Sequence, residues 1–546
     1  MQTNKYSLPV AHPVKFGFII TATNDMKSSW FSFLLRCAEV VVAFVFCFII
    51  MNGCRKEQAK NDPAFDKVLV APKPGDAPYD GALQQLLTQA TGEIVKIIFP
   101  VGTYRLTTDH SVPGNITFEM SKGSAFYIEE GCTLTHNGQV NSPAGYLFRG
   151  EGKVAGSISG TGYVQWFGAD EVTTDHTVSF QKALDVCEQV FVPDRPNGYV
   201  ITHLVFDRPV VFKGIGTNRV QIKVKDDGQQ HFLVLHSDHI VIENIELSCF
   251  YSTDDLMSSE MAVFFNTSDR GLSDIILRNV FINHPAYGIG DACSGEYTIR
   301  NVLMDYVYID ANRNTGMHMN DFRDGIELRD VCISSFRHNV PSKGYIFENI
   351  TGMHLENVDV LGGYGKNVRG GDGMTFINCE GITCYRVMVD YVSGKQLVIR
   401  DSKNFNFSNF VVSLLAYEGL YLENVTNSVF SITNVNGIYN KETPIMVLVN
   451  CSGLTFNSLM IQVSMNDNLM MYGCSNNIFN NTVILNGAGQ TLFEDSTSSN
   501  NIFNGLVSNG NKGGFSLLGT DSKVYGFLSD ANGGKILDTV QSPYSY

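Results

Sequence analysis

Two stretches of the chain gather most of the groups that could move a proton or hold an anion. They are SSFRHNVPSKGY at 334–345 and LGGYGKNVRGGDG at 361–373. Arg337, Lys343, Lys366 and Arg369 stand there against one acid, Asp372, with His338 and Tyr364 beside them. Such a set suits β-elimination on a uronic-acid polysaccharide. That reaction needs a cation to neutralise the carboxylate, a base to take the C5 proton and an acid for the leaving oxygen. Arg337 and Arg369 fit the carboxylate, His338 or Lys366 the base, and Tyr364 the proton donor, with Lys343 as a further substrate contact. The glycines of 361–373 let a tight loop present its charged neighbours.

A second chemistry, glycoside hydrolysis, needs two carboxylates flanking the bond. Asp254, Asp255, Asp291, Asp321 and Asp324 are the candidates. Asp254, Asp255 and Asp291 could instead hold Ca²⁺, a cation that takes several oxygen ligands; elimination by the basic cluster requires no cofactor. Tyr251, Tyr287 and Tyr417 offer rings with an apolar face and a polar edge, as sugar binding requires, and His284 is a further contact. These tyrosines also suit a third reading, a surface protein that binds glycans without cleaving them.

What positions these residues is a repeat. From residue 240 one phrase returns: apolar, any, apolar, any, polar, apolar, any, apolar. It appears as IVIENIEL (240), IILRNVFI (275), YTIRNVLM (297), IELRDVCI (326), MHLENVDV (353), ITCYRVMV (382), FNFSNFVV (405), SVFSITNV (428), LTFNSLMI (454) and IFNNTVIL (478). Alternation at period two means strands, and the polar residue midway marks a bend between two short ones. Most spacings fall at 22–29 residues with no helical segment between, the signature of a solenoid of β-coils. Long inserts follow the phrases of the middle coils and shrink beyond residue 430. Inserts after the same strand stack on one face, so a cleft is expected there. Arg337 and Tyr364 each lie 11 residues into their repeats, which sets them side by side on adjacent coils. The turns before the phrases repeat too; Cys379, Cys451 and Cys474 share a slot and are expected to form an inward ladder. The many asparagines suit turns, since Asn tolerates the left-handed backbone region.

The phrase with its period resembles the right-handed parallel β-helix of the pectate-lyase-like superfamily. A second stretch supports this: WFGADEVTTDHTVSFQKALDVCEQVFVPDRPNGYVI, from Trp166, is similar to the opening segment of that superfamily, where WFGA, a D-x-T element and an amphipathic FQKAL helix cap the first coil. YDGALQQLLTQATGEIVKIIFPVGTYRL at 79–106 echoes the same layout. The resemblance implies an all-β fold, a single-stranded parallel β-helix with a short N-terminal capping helix. It divides the chain into a β-rich region at 66–164 and the main helix at 165–540. It leaves function open, because this fold hosts lyases, hydrolases, epimerases and phage adhesins. Polygalacturonase-type members carry Asn-Thr-Asp, Asp-Asp, Gly-His-Gly and Arg-Ile-Lys; Asp254-Asp255 is present here, but no GHG and no RIK.

The composition agrees with a folded, exported protein. Of 546 residues, 44% are hydrophobic and 17% charged, enough for a large core. A net charge of −15 argues against nucleic-acid binding and requires any acidic polysaccharide to be met by locally gathered cations. MKSSWFSFLLRCAEVVVAFVFCFIIMNGC, from Met26 to Cys54, has the layout of a secretory signal. Its apolar run, Val40–Met51, is short for a membrane span, and Gly53-Cys54 at its end resembles a bacterial lipobox. The expectation is a leader over 1–54 with Met26 as an alternative start, a linker over 55–65, and a monomer at the cell surface or in the periplasm, anchored by lipid on Cys54. Of twelve cysteines, those in the body are scattered, with no CxxC pair, which disfavours a zinc site.

Overall fold

Every second residue of a strand faces the same way, so each phrase offers one apolar edge that only a stack of similar strands can bury. The structure, a computed structural model, describes residues 65–169, 174–225, 231–249, 260–291, 296–310, 312, 314–334, 343–362, 371–413, 417–437 and 443–530. The leader and nearly all of the linker lie outside them.

All strand pairing is parallel, in one sheet of 24 strands, one of 13, and two of three. In the middle of the chain each coil runs from a long strand through an insert to a short strand, then round a tight corner to the next long strand. Arg323–Ser334, Lys343–Glu348, Thr351–Leu361 and Met374–Ile377 are one such succession. The architecture is the right-handed parallel β-helix that the resemblance implies, in about 17 turns. The coils begin at Lys67–Val70, and residues 67–163 feed the same succession of parallel strands as the rest.

Two helices interrupt the coils. Helix α1 (Asp80–Gln89) leans on the first of them, and helix α2 (Thr177–Val186) buries Phe180, Ala183 and Leu184. Helix α2 packs between strand Lys153–Gly156 and strand Leu204–Phe206, where the short-strand sheet starts. It occupies a strand's place and covers that sheet's end. Helix α1 is tied down by Asp80, whose carboxylate accepts the N–H and hydroxyl of Thr107 and of Thr108 and contacts His110 Nε2 at 2.9 Å.

The phrases starting at 240, 275, 326, 353, 382, 405, 428 and 454 stack in register. Two do not. Ile275 pairs with Val302, and Val302 with Ile326, so the repeat unit there starts at 302 rather than 297; the last unit is displaced by one residue, since Thr455 pairs with Ile478. Inside, Phe407, Phe430, Phe456, Phe479 and Phe503 stack with neighbouring ring centroids 4.7–5.3 Å apart and planes within 13°. Cys379, Cys451 and Cys474 are buried free thiols in one inward column.

The polar residue midway through each phrase turns the strand by a left-handed backbone: φ is 57° at Asn244, 52° at Asn279, 51° at Asp330, 53° at Asn357 and 58° at Asn409. Asn tolerates this conformation. Tyr306, Arg386 and Ile432 adopt it in the same column. One residue earlier, on the outer face, lies a column of alternating charge: Lys213, Glu243, Arg278, Asp305, Arg329 and Glu356. Arg278 bridges Glu243 at 2.7 Å and Asp305 at 3.2 Å. Beyond Tyr385 the column turns to Ser408, Ser431, Asn457, Asn480 and Asn504.

Candidate functional site

The outward positions of the short strands read His318, Ile346, Thr375, Val398 and Tyr421 on successive coils; His318 and Tyr421 are half-buried and the three between them are buried. Each step along the axis is about 4.8 Å. His318 sits mid-strand in Thr315–Asn320 and places Nε2 3.4 Å from Glu348 Oε2, an ion-pair distance rather than a well-formed hydrogen bond. Further along, Lys395 Nζ lies over the Tyr421 ring, 3.4 Å from its centroid, and 3.5 Å from Glu418 Oε1. Arg400 approaches the same ring at 5.4 Å, with Nε 3.1 Å from Glu423 Oε2. One tyrosine thus stands between two cations whose carboxylate partners hold them in place.

In the chain, residues 335–342 precede Lys343–Glu348 and 363–370 precede Met374–Ile377, whose first residues form one edge of this face. Arg337, His338, Tyr364, Lys366 and Arg369 lie outside the described residues, as do Tyr251, Asp254, Asp255 and Cys54. Lys343 opens its strand and is exposed; Asp372, Lys395 and Glu418 take its position on the following coils, so charge alternates along that edge. Burial pushes the Asp372 carboxyl up, against the Lys395 N–H it accepts at 2.9 Å and the charges of Lys395 and Lys343.

Tyr287 opens strand Tyr287–Asp291 on this edge, and its hydroxyl accepts Asn314 Nδ2 at 2.7 Å. Tyr417 precedes strand Leu420–Glu423. His284 lies just past Leu272–Asn283 with φ 57°. Asp291 Oδ2 accepts the Asn320 N–H at 2.6 Å. Among the described residues no three His, Cys, Asp or Glu side chains stand together as a metal set. Tyr306 and Tyr308, which sequence order would set beside the other tyrosines, belong to the long strand Ile299–Asp310 instead; the Tyr308 ring stacks on Phe281 at 5.2 Å.

The opposite edge of the short strands holds what the sequence did not signal. Here the chain turns a corner into the next long strand, and the corner encloses a groove of about 540 Å³. One side is a column of left-handed residues, Asp321, Asn349, Asn378, Asp401 and Asn424, with φ between 50° and 58°, and the buried Cys379 and Ser402 also line it. Asn378 Nδ2 donates to Asn349 Oδ1 at 2.6 Å and Asn424 Nδ2 to Asp401 Oδ1 at 2.7 Å. Its outer wall is Arg323, Thr351, Glu380, Lys403 and Thr426, which bridge coil to coil from Thr351 onward. Lys403 Nζ lies 3.1 Å from Glu380 Oε2. Asp321 is 5% exposed; burial raises its carboxyl pKa, Arg323 opposes the rise and Glu348 adds to it.

No family model matches the chain, and no curated protein matches it. Solved structures do. The A-module of the Azotobacter vinelandii mannuronan C-5 epimerase AlgE6 is 14% identical with a TM-score of 0.41, over 67% of this chain and 99% of that one. The catalytic unit of an α-1,3-glucanase from Streptomyces thermodiastaticus is also 14% identical at a TM-score of 0.41, over 71% of each chain. The Dettilon tailspike protein is 11% identical at 0.41, over 65% of this chain and 68% of that one. At these scores the likeness carries no chemistry across, and the function is read from the residues themselves.

Proposed function

We propose that this protein cleaves a uronic-acid polysaccharide, pectin-like or a glycosaminoglycan, by β-elimination on the outer face of its short strands. The observation behind the reading is the face itself. It carries a histidine, a tyrosine and two positioned cations on coils bordered by the basic inserts. Glu418 and Glu423 balance Lys395 and Arg400, so in this reading the surplus positive charge that a polyanion needs comes from Arg337, Lys366 and Arg369. In this reading Arg337, Arg369, Lys343 and Lys395 neutralise uronate carboxylates. His338, Lys366 or His318 takes the C5 proton, and Tyr364 protonates the leaving oxygen. Asp254, Asp255 and Asp291 are the residues that would hold calcium, and chelation by EDTA tests whether the reaction needs it. The proposal includes export, with lipid on Cys54; Cys54→Ser should abolish incorporation of labelled fatty acid.

One observation favours a second reading, glycoside hydrolysis. Asp321 is buried, and burial and the neighbouring Glu348 both raise its pKa; hydrolysis uses a pair of carboxyl groups, one of them with a raised pKa. Incubation with a panel of uronate polysaccharides separates the two. An ultraviolet-absorbing unsaturated uronate together with new reducing ends supports elimination; reducing ends alone support hydrolysis. Neither product from any polymer of the panel would sink both. In the first case His318→Ala, His338→Ala and Lys366→Ala are compared, and loss of the base should lower kcat by about 10²–10⁴.

A further inference from the structure

The corner groove differs in repeat from the face beside it. Asp321, Glu380 and Asp401 stand against Arg323 and Lys403 along its length, so it holds no surplus of positive charge to gather a polyanion. Each coil adds the same kind of pair, an amide or carboxylate in the left-handed column and a hydroxyl or charged group in the outer wall, about 4.8 Å from the last. Amides and carboxylates are the groups that pair with vicinal hydroxyls. Side-chain bonds between coils hold Asn349 to Asn378 and Asp401 to Asn424 in the left-handed column, so little ordering cost attends binding. The same column runs on through Asn450 and Gly473. Next to it Tyr472, 37% exposed, rests against Phe493 at 5.6 Å, a ring face on which a sugar can stack.

We propose that this groove binds a neutral oligosaccharide lying along the helix axis, at a site apart from the cleaving face. The inference stands on the groove's own chemistry and does not depend on the elimination reading. Titration calorimetry of the full chain with neutral hexaoses (β-1,4-linked glucose, mannose and xylose) and with an oligogalacturonate of equal length tests it. At least one neutral hexaose should bind, and the oligogalacturonate should not compete with it. Thr351→Trp fills the wall and should weaken neutral binding at least tenfold. The thermal transition, and any unsaturated product that elimination releases from uronate polymer, should stay unchanged. Lys403→Ala, which cuts the wall's ion pair without adding bulk, should weaken binding by a smaller factor. Absence of binding by all three neutral hexaoses, undiminished binding in both variants, or displacement by the oligogalacturonate would each overturn the proposal.

Discussion

Ile432 is the sharpest test of how the bends are built. It occupies the column that Asn409, Ser458 and Asn481 fill on neighbouring coils, with φ 53°, and its side chain is 60% exposed. A left-handed backbone costs an L-residue about 1–2 kcal/mol, and a β-branched residue there is an outlier. Replacement by Asn removes most of that strain and adds an amide to the column, at about 0.5–1.5 kcal/mol for one hydrogen bond. Against this, the buried two-fifths of the isoleucine is worth about 0.8 kcal/mol. The net expectation for Ile432→Asn is about 1 kcal/mol of stabilisation, or roughly fivefold slower hydrogen exchange in the coils around 420–462. Ile432→Gly relieves the same strain but loosens the unfolded chain by about 0.5–1 kcal/mol and should be close to neutral. Local exchange is the right assay, since a solenoid need not unfold in one step. Faster exchange in Ile432→Asn, or a gain in Ile432→Gly exceeding that in Asn, would refute the strain account.

Two other sites make predictions of opposite sign in pH. Glu494 is fully buried, accepts Asn501 Nδ2 at 2.6 Å and Ser522 Oγ at 2.7 Å, and burial raises its pKa. Its folded form therefore holds a proton that the unfolded chain gives up, so stability of the last coils should fall as pH rises above the ordinary glutamate range. Glu494→Gln should remove that slope, exchanging more slowly than wild type at pH near 8 and converging with it in acid. Asp80 runs the other way. His110, Thr107 and Thr108 outweigh the cost of its burial and hold its carboxyl well below the usual range, so its contribution is present above the unfolded pKa and lost as pH falls toward the folded one. Asp80→Ala leaves two backbone N–H groups without their acceptor and should cost about 3 kcal/mol, read as faster proteolysis or exchange over residues 95–136.

The coil architecture was legible because apolar alternation with a fixed period admits few other structures; the bend and the cysteine column follow from it, and the two helices from the resemblance of the stretches at 79 and 166 to the superfamily's opening segment. The phrase at 297 misled because Asn301 and Tyr306 both have left-handed backbones, and an asparagine is the more familiar bend residue. Read from 297 the phrase ends at Met304 and leaves Tyr306 and Tyr308 outside it, whereas both lie within Ile299–Asp310. The corner groove was missed for a related reason. NCEG, DSKN and NVTN read singly as turn residues; aligned by turn rather than by strand, they show a polar wall residue at one fixed offset, at Glu380, Lys403 and Thr426. The basic inserts are legible in composition, but no strand period governs their conformation.

The alternating column from Lys213 to Glu356 bears on how such a chain can change length. Excising one coil from that stretch would bring residues of like charge into contact, while excising two would restore the alternation; like charges directly opposite are destabilising. Past Tyr385, where serine and asparagine fill the column, any coil can follow any other. Gain or loss of single coils is therefore expected to be tolerated toward the C-terminal end, and to occur in pairs over the middle.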